Sequence, residues 1–119
     1  MFPRNVNRRR LIGAVLIFTG AFTPVAQGQT AITNGNIGAA VTAWATSPTT
    51  AATTYGNIVD WNTAAVSCMA SLFSSQATFN SDISKWNVAS VASMLQMFYG
   101  ATAFNQNIGR WNVARVRDL

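Results

Sequence analysis

The chain lacks several of the side chains on which protein chemistry most often depends. Its 119 residues include no histidine, no glutamate, one cysteine and three acidic residues, Asp60, Asp82 and Asp118. These aspartates are far apart in the sequence, so no carboxylate pair, catalytic triad or metal-ligand cluster is predicted. The lone Cys68 also excludes an intrachain disulfide. The sequence therefore predicts a protein that is not an enzyme and that binds no metal and no cofactor. A small secreted enzyme is the disfavoured alternative.

The positive charge is concentrated at the N-terminus. The formal net charge of +5 would by itself suggest nucleic-acid binding. However, Arg4, Arg8, Arg9 and Arg10 all lie in the first ten residues. Beyond residue 28, four basic residues stand against three acidic ones, so no nucleic-acid partner is predicted.

Residues 1–28 have the organisation of a secretory signal peptide. The basic start is followed by apolar residues at 11–22 and by small residues at Ala26 and Gly28, which predicts cleavage after Gly28. The predicted localisation is secreted or cell surface, with membrane contact only through the export signal. A retained membrane anchor is the alternative, although the apolar run is shorter than the ~20 residues a spanning helix needs. The arginines before Leu11 also resemble a twin-arginine signal.

The rest of the chain is organised by a 25-residue repeat. The pairs Trp61-Asn62, Trp86-Asn87 and Trp111-Asn112 open three copies at equal intervals, with no slip. A fixed period of this length is typical of units that stack on one another because none buries its apolar side alone. Residues 61–119 are therefore predicted to form two full repeats and a partial third.

The aligned copies share a set of apolar residues, which we predict to be the core of the repeats. These residues are Trp61, Trp86, Trp111, Val66, Val91, Val116, Met69, Met94, Phe73, Phe98, Phe79, Phe104, Ile83 and Ile108. The three tryptophans alternatively suit a platform for stacking sugars or other flat ligands. Because they keep step with the valines and methionines, a core ladder is favoured.

Residues 29–60 are predicted to be a leader and an N-terminal capping unit. Ile37, Ala40, Val41 and Trp44 follow helical spacing, and Pro48 is expected to end this helix by Ser47. The segment 48–54 is predicted to be a loop. Val41 and Ile58 each lie one repeat period before their counterparts in the first repeat, so the unit is interpreted as a degenerate copy.

Within each repeat, the sequence predicts a short helix and a short strand. Val91, Met94, Met97 and Phe98 have the spacing of an amphipathic helix, with Ser90 as its N-cap and Gly100 as a left-handed stop. A turn and a short extended segment at 108–111 are expected to follow.

The polar and reactive residues of the repeats have structural interpretations. The asparagines after the tryptophans, together with Asn80 and Asn105, are expected to bond the backbone of a tight turn on the next coil. Cys68 is interpreted as a partly buried thiol rather than a nucleophile, although an exported free cysteine can also link two chains.

The positions that vary between copies are the candidate partner-binding surface. Repeat proteins bind partners through such positions, and four basic residues are the candidates here: Lys85, Arg110, Arg115 and Arg117. They would favour an acidic partner, whereas a solvated basic rim is the alternative.

The repeat resembles that of the BspA-type leucine-rich-repeat surface proteins. The similarity lies in Met97-Phe98, Phe104-Asn105-Gln106, Ile108 and Trp111-Asn112-Val113, and it extends over residues 37–119. The sequence departs from the family pattern at Asn107, where the family has aspartate, and Ser75 stands where the next copy has Gly100.

The resemblance implies a secreted or surface-displayed repeat protein that binds a protein or cell-surface ligand, in some members as an adhesin, with no shared catalytic residues. The expected fold is an α/β, leucine-rich-repeat-like solenoid of 25-residue repeats with an N-terminal helical cap, truncated at its C-terminus. An open apolar end favours end-to-end self-association. The alternative is a fragment of a longer repeat protein with no independent function.

Overall fold

The computed structural model describes residues 28–119. The predicted signal peptide, with its arginines and apolar run, therefore lies outside the described residues apart from Gly28. The described elements are two α-helices, α1 (Ile37–Thr46) and α2 (Pro48–Tyr55), followed by one 3₁₀-helix, Ile58–Asp60. No helix among these residues is long and apolar enough to cross a membrane.

Helix α1 is present where the apolar spacing predicted a helix. It buries Ile37, Ala40 and Val41, which lie on one face because they are three and four residues apart. Asn36 is the N-cap residue, but its side chain makes no capping bond. Its amide instead accepts a bond from Thr33 N and donates one to Ala31 O, each 2.8 Å long, which ties the preceding leader to the start of the helix.

Helix α2 corrects the prediction of a loop at 48–54. Pro48 occupies the first turn of α2, where its fixed φ suits the helix and its missing N–H would have no helical partner in any case. The proline thus ends one helix and begins the next. Gly56 ends α2 with a φ of +84°, a conformation that glycine adopts without steric cost.

The predicted α/β, leucine-rich-repeat-like solenoid is wrong. Residues 61–119 contain neither a helix nor a strand, only turns and two isolated parallel bridges, Cys68 with Ser93 and Ser93 with Asp118. The chain is thus mostly irregular, with two short helices near its N-terminus. The extended segment expected at 108–111 is also absent.

Positive φ angles explain why the predicted repeat helix does not form. Ser71 and Gln96, which are equivalent residues of consecutive copies, have φ of 57° and 55°, and a left-handed residue interrupts an α-helix. The three-residue apolar spacing arises instead from successive turns, such as Met97 N to Met94 O at 3.0 Å. Gly100 does adopt a positive φ, 73°, but it ends no helix.

Alternate backbone N–H groups join consecutive units of the repeat, which we define as unit 1 (61–85), unit 2 (86–110) and unit 3 (111–119). Four donors of unit 1 bond carbonyls of unit 2 at 2.6–2.9 Å: Met69 N to Ser93 O, Ser71 N to Leu95 O, Phe73 N to Met97 O and Ser75 N to Tyr99 O. Between these donors, Leu72 N and Ser74 N bond within unit 1, to Met69 O and Ser71 O. Each unit therefore both closes its own turns and binds its neighbour.

The aromatic side chains of equivalent residues also stack between consecutive units. Phe73 stacks on Phe98 with centroids 5.6 Å apart, and Phe79 stacks on Phe104 at 5.8 Å. Trp61 and Trp86 stack at 5.9 Å. Such ring pairs add about 0.5–1.5 kcal/mol each beyond the burial of apolar area, so equivalent residues of neighbouring units stabilise one another.

Two indole N–H groups also bond backbone carbonyls earlier in the chain. Trp86 Nε1 donates to Ile58 O at 2.8 Å, and Trp111 Nε1 donates to Ile83 O at 3.1 Å, each 28 residues back. Each tryptophan thus has an apolar ring packed in the interior and a satisfied polar atom.

The residues predicted as the repeat core are all buried or partly buried. The most buried belong to unit 1 and to the first part of unit 2: Trp61, Trp86, Val66, Val91, Met69, Met94, Phe73, Phe79 and Ile83. Those nearest the C-terminal end are only partly buried: Trp111, Val116, Phe98, Phe104 and Ile108. Burial in this chain therefore depends on the neighbour as much as on the residue.

Candidate binding site

A groove of about 630 Å³ lies on the C-terminal face of the repeats and is mainly apolar. We call it the end groove; it is lined by Met94, Gln96, Met97, Phe98, Tyr99, Ile108, Gly109, Trp111, Val113 and Leu119. The stacking described above positions this groove. Phe98, Ile108 and Trp111 are partly buried there, whereas the residues at the same repeat positions of the preceding unit are buried. The groove is thus the uncovered side of the packed interior.

Large apolar side chains are exposed around this groove. Tyr99 is 66% exposed, Val113 47% and Leu119 82%. Isolated exposed apolar residues are ordinary on protein surfaces, but a contiguous group around a groove is typical of an interaction site. Sequence reasoning missed Tyr99 and Val113. Comparing the copies would have signalled Tyr99, because Ser74 occupies its position in unit 1.

The four predicted partner-binding residues are not brought together. Lys85 Nζ lies 3.9 Å from Asp60 Oδ1, with both side chains well exposed, so this ion pair contributes little to stability. Arg110, the equivalent of Lys85 in the next unit, is exposed and adjoins the groove residues Gly109 and Trp111 in the chain. Lys85 and Arg110 therefore occupy equivalent positions of consecutive units but have different surroundings.

We call Arg110, Arg115 and Arg117 the basic rim; they lie in the same stretch of chain, 110–119, as the groove residues Trp111, Val113 and Leu119. All three are exposed, and within residues 28–119 the Lys85–Asp60 contact is the one ion pair present. Asp118 is the one acidic residue in the same stretch, 110–119. The arginines are thus available to an acidic ligand, and as guanidinium groups they suit bidentate contact with carboxylates.

Two smaller clefts lie elsewhere on the described part of the chain. One of about 290 Å³ separates the leader around Ile32 from Trp61. The other, of about 360 Å³, is lined by Trp44, Phe79 and Gln76 among others. The Gln76 Oε1 atom is buried there without a hydrogen-bond partner in the part of the chain that the structure describes. Neither cleft has charged residues other than Asp60.

The asparagines that follow the tryptophans have a local role. Asn62, Asn87 and Asn112 each accept a bond at 3.0 Å from the backbone N–H two residues ahead. This corrects the expectation that they bond the next coil. Asn80 does bond the next unit, since its Oδ1 accepts from Asn105 N at 2.8 Å.

Two remaining sequence expectations concern reactive groups. Cys68 is exposed, not partly buried as expected, and its backbone forms the parallel bridge to Ser93. Among residues 28–119, no three side chains of the metal-ligating types gather into a cluster. Asp82 has a pKa below its ordinary value because the hydroxyl and the backbone N–H of Ser84 hydrogen-bond its carboxylate.

Comparison with known proteins places the chain in a family. A model of the family described as Mycoplasma protein of unknown function, DUF285, matches residues 21–119. The chain belongs to the DUF285 family. This family is related to the BspA-like repeat proteins, so the DUF285 match agrees with a repeat protein. Searches of curated proteins and of solved structures each found no match.

Proposed function

We propose that this DUF285 protein is an exported, non-catalytic binding module of the BspA-like kind, displayed at the cell surface or secreted, which attaches to acidic polypeptide ligands. The observation that carries the proposal is the end groove, an apolar surface whose lining residues Trp111, Val113 and Leu119 come from the same stretch, 110–119, as three arginines with no acidic partner among the described residues. Apolar contact area supplies affinity, and the basic rim attracts and orients an acidic partner.

The residues that carry this function are assigned by their position. Arg110, Arg115 and Arg117 supply the charge, whereas Tyr99 and Val113 supply exposed apolar contact area. Lys85 is left out of the site because it already faces Asp60. The site needs no cofactor, because recognition rests on burial and charge alone.

Ligand binding is tested with a defined polymer. The full chain is titrated with poly(Glu,Tyr), an acidic and aromatic polypeptide, and binding is followed by tryptophan fluorescence at low and high salt. We expect binding that weakens as salt rises and that falls at least tenfold when Arg110, Arg115 and Arg117 are all changed to Gln. The matched control, Lys85→Gln, should bind as the parent does. Equal affinity of the triple variant and the control would refute the assigned site.

Export is tested separately. The chain with its own N-terminus is expressed in a bacterium, and the protein is recovered from the medium, the cell surface and the cytoplasm. The proposal predicts exported protein whose N-terminal residue is Gln29. Full-length, uncleaved protein confined to the cytoplasm would contradict it.

A further inference from the structure

A cleft of about 360 Å³ lies where helices α1 and α2 meet unit 1. We call it the junction cleft; it is lined by Trp44, Ala45 and Pro48 of the helices and by residues 75–81 of unit 1. It shares no lining residue with the end groove. None of its lining side chains is charged, so the junction cleft suits a neutral ligand.

The junction cleft exists because the capping unit does not repeat the turn of unit 1. On the side of unit 2, the turn at 76–81 is bonded to its equivalent, since Ala103 N donates to Ala77 O at 3.2 Å and Gln106 Nε2 donates to Asn80 O at 2.9 Å. One repeat period before this turn, residues 51–56 form the end of α2 and its cap instead. Unit 1 is therefore bonded closely to unit 2 but leaves a cleft beside the helices.

The side-chain amide of Gln76 is an unpaired polar group in the lining of this cleft. Its Oε1 atom is buried without a hydrogen-bond partner among residues 28–119, and a buried acceptor left unpaired costs about 1–3 kcal/mol. The turn itself does not need this amide, because the equivalent residue of unit 2 is Ala101. No bond holds the oxygen in place, so it can turn into the cleft when a ligand supplies a donor.

Further neutral polar groups lie in the same lining. Ser81 Oγ accepts a bond from Trp44 Nε1 at 3.3 Å, which leaves its own hydroxyl hydrogen to donate. Asn80 bonds unit 2 through its two oxygens, which leaves its NH₂ group as a donor. Thr78 is exposed, and Ala103 replaces it in unit 2. The cleft thus offers uncharged donors and acceptors that the equivalent turn of unit 2 lacks in part.

Trp44 supplies the aromatic surface of the cleft. Its side chain is partly buried, whereas Phe79 is only 7% exposed and stacks on two other rings. Trp44 meets Trp61 edge-on, with centroids 6.2 Å apart, and this contact and the bond to Ser81 fix its orientation. An oriented aromatic ring beside neutral donors and acceptors suits a sugar, whose C–H groups pack against a ring face while its hydroxyl groups hydrogen-bond.

We propose that the junction cleft binds a neutral pyranose sugar, with the sugar ring against Trp44 and its hydroxyl groups bonded to Gln76, Thr78 and Ser81. A sugar hydroxyl supplies the donor that Gln76 Oε1 lacks. The junction cleft differs from the end groove in position and in chemistry. The inference therefore goes beyond the proposed function and does not depend on it.

The probes are three neutral disaccharides: cellobiose, lactose and N,N′-diacetylchitobiose. Each is titrated into the full chain labelled with ¹⁵N. The four tryptophans give four indole N–H signals, and the variant Trp44→Phe identifies the signal of Trp44. A neutral control ligand of another class is the blocked dipeptide N-acetyl-Ser-Tyr-amide.

The decisive readout is the chemical shift of the Trp44 indole N–H. We expect at least one disaccharide to move this signal in a saturable way, because the sugar packs on the ring. The signal of Trp111, which lines the end groove, should stay in place. The blocked dipeptide should bind at least tenfold more weakly than that disaccharide.

Two variants remove polar groups of the cleft without disturbing the turn. Gln76→Ala and Thr78→Ala each introduce the residue that unit 2 has at the same position, so the fold should survive. Sugar affinity should fall at least tenfold in Gln76→Ala and several-fold in Thr78→Ala. The matched control is Thr53→Ala, at an exposed position of α2 outside the cleft lining, which should leave affinity unchanged.

Thermal unfolding separates a ligand-binding role of Gln76 from a structural one. Without sugar, Gln76→Ala should be at least as stable as the parent, because it removes an unpaired buried acceptor. With sugar, the parent should gain stability by binding, and the variant should gain much less.

Several results would overturn the inference. No disaccharide moves the Trp44 signal, in which case the Gln76 amide pairs only with water; Gln76→Ala binds the sugars as the parent does; or the blocked dipeptide binds as tightly as the disaccharides. Changing Arg110, Arg115 and Arg117 to Gln should weaken poly(Glu,Tyr) binding and leave sugar binding intact, so failure at either site is distinguished from failure at the other. Loss of sugar binding in that triple variant would also overturn the inference.

Discussion

Units 1 and 2 of the repeat differ in environment far more than in sequence. Phe73 and Ile83 of unit 1 are fully buried, whereas Phe98 and Ile108, the same residue types in the same positions of unit 2, are partly exposed and line the end groove. Unit 1 has α1, α2 and the 3₁₀-helix before it and unit 2 after it. Within the described residues, the nine residues of unit 3 come after unit 2. The comparison teaches that a side chain's role here is decided by whether a neighbouring unit covers it.

The largest effect should come from truncating the same ring in both units. Phe73→Ala removes a buried ring that stacks on both Phe79 and Phe98, and we expect a loss of about 3–5 kcal/mol in the free energy of unfolding. Phe98→Ala should lose only about 1–2 kcal/mol, because its ring is already partly exposed. Urea unfolding followed by circular dichroism measures both. Equal losses would show that the two units are not stabilised differently.

A smaller effect is expected from the tryptophan bonds. Trp86→Phe removes the donor to Ile58 O and leaves space in the interior, which should cost about 2–3 kcal/mol. Trp111→Phe removes the equivalent bond to Ile83 O, but its ring is less buried. We expect a loss of about 1 kcal/mol there, again by urea unfolding. A larger loss for Trp111→Phe than for Trp86→Phe would contradict the comparison.

A smaller change in stability is expected from exchanging the residues at the equivalent left-handed positions 75 and 100. Ser75 has a φ of 64°, and Gly100 in the same position has 73°. Ser75→Gly should stabilise the chain by up to about 1 kcal/mol because it relieves a left-handed serine. Gly100→Ser should destabilise it by about 1 kcal/mol, since a Cβ there would lie 3.4 Å from Ser75 Cα at an unfavourable φ. Thermal unfolding of the pair would reveal opposite shifts; shifts of the same sign would contradict this reading of the turn.

The smallest effect concerns Asp82 and its counterpart Asn107. Both side chains accept a bond at 2.9 Å from the N–H two residues ahead, so Asp82→Asn should keep the turn and change stability little at neutral pH. Because the pKa of Asp82 is lowered, the stability linked to its carboxylate is present above the ordinary pKa, near pH 4. It is lost as the pH falls through the lowered value.

Thermal unfolding of the parent and Asp82→Asn from pH 7 down to about pH 2 checks this sign. The variant should lose less stability on acidification than the parent does. A steeper acid loss in the variant would contradict the assignment.

Much of the register was predictable from the sequence, whereas the backbone conformation was not. The repeat period placed Phe73 with Phe98 and Phe79 with Phe104 in matching positions, and those pairs stack. The apolar spacing of Val91, Met94 and Met97 fits a helix and a series of three-residue turns equally well. The turns form because alternate N–H groups bond the next unit, a long-range interaction that no local pattern reveals.

The candidate site was only partly visible in the sequence. The arginines at 110, 115 and 117 stand out because the preceding copy has other residues at two of these positions, Ser90 and Ala92. Lys85 looked equivalent to Arg110, but Asp60, which lies one repeat period earlier, faces it. Prediction failed similarly for α2, where Pro48 suited both a loop and a first helical turn.

The most direct test of this account is site-resolved amide hydrogen exchange of the free chain, with each donor of unit 1 compared with its equivalent in unit 2. The account predicts that Ser71, Phe73 and Ser75 exchange at least tenfold more slowly than Gln96, Phe98 and Gly100, because only the first three donate to a neighbouring unit. Similar exchange rates in the two sets would contradict it, since the register of alternate bonds would then not distinguish a covered unit from an uncovered one.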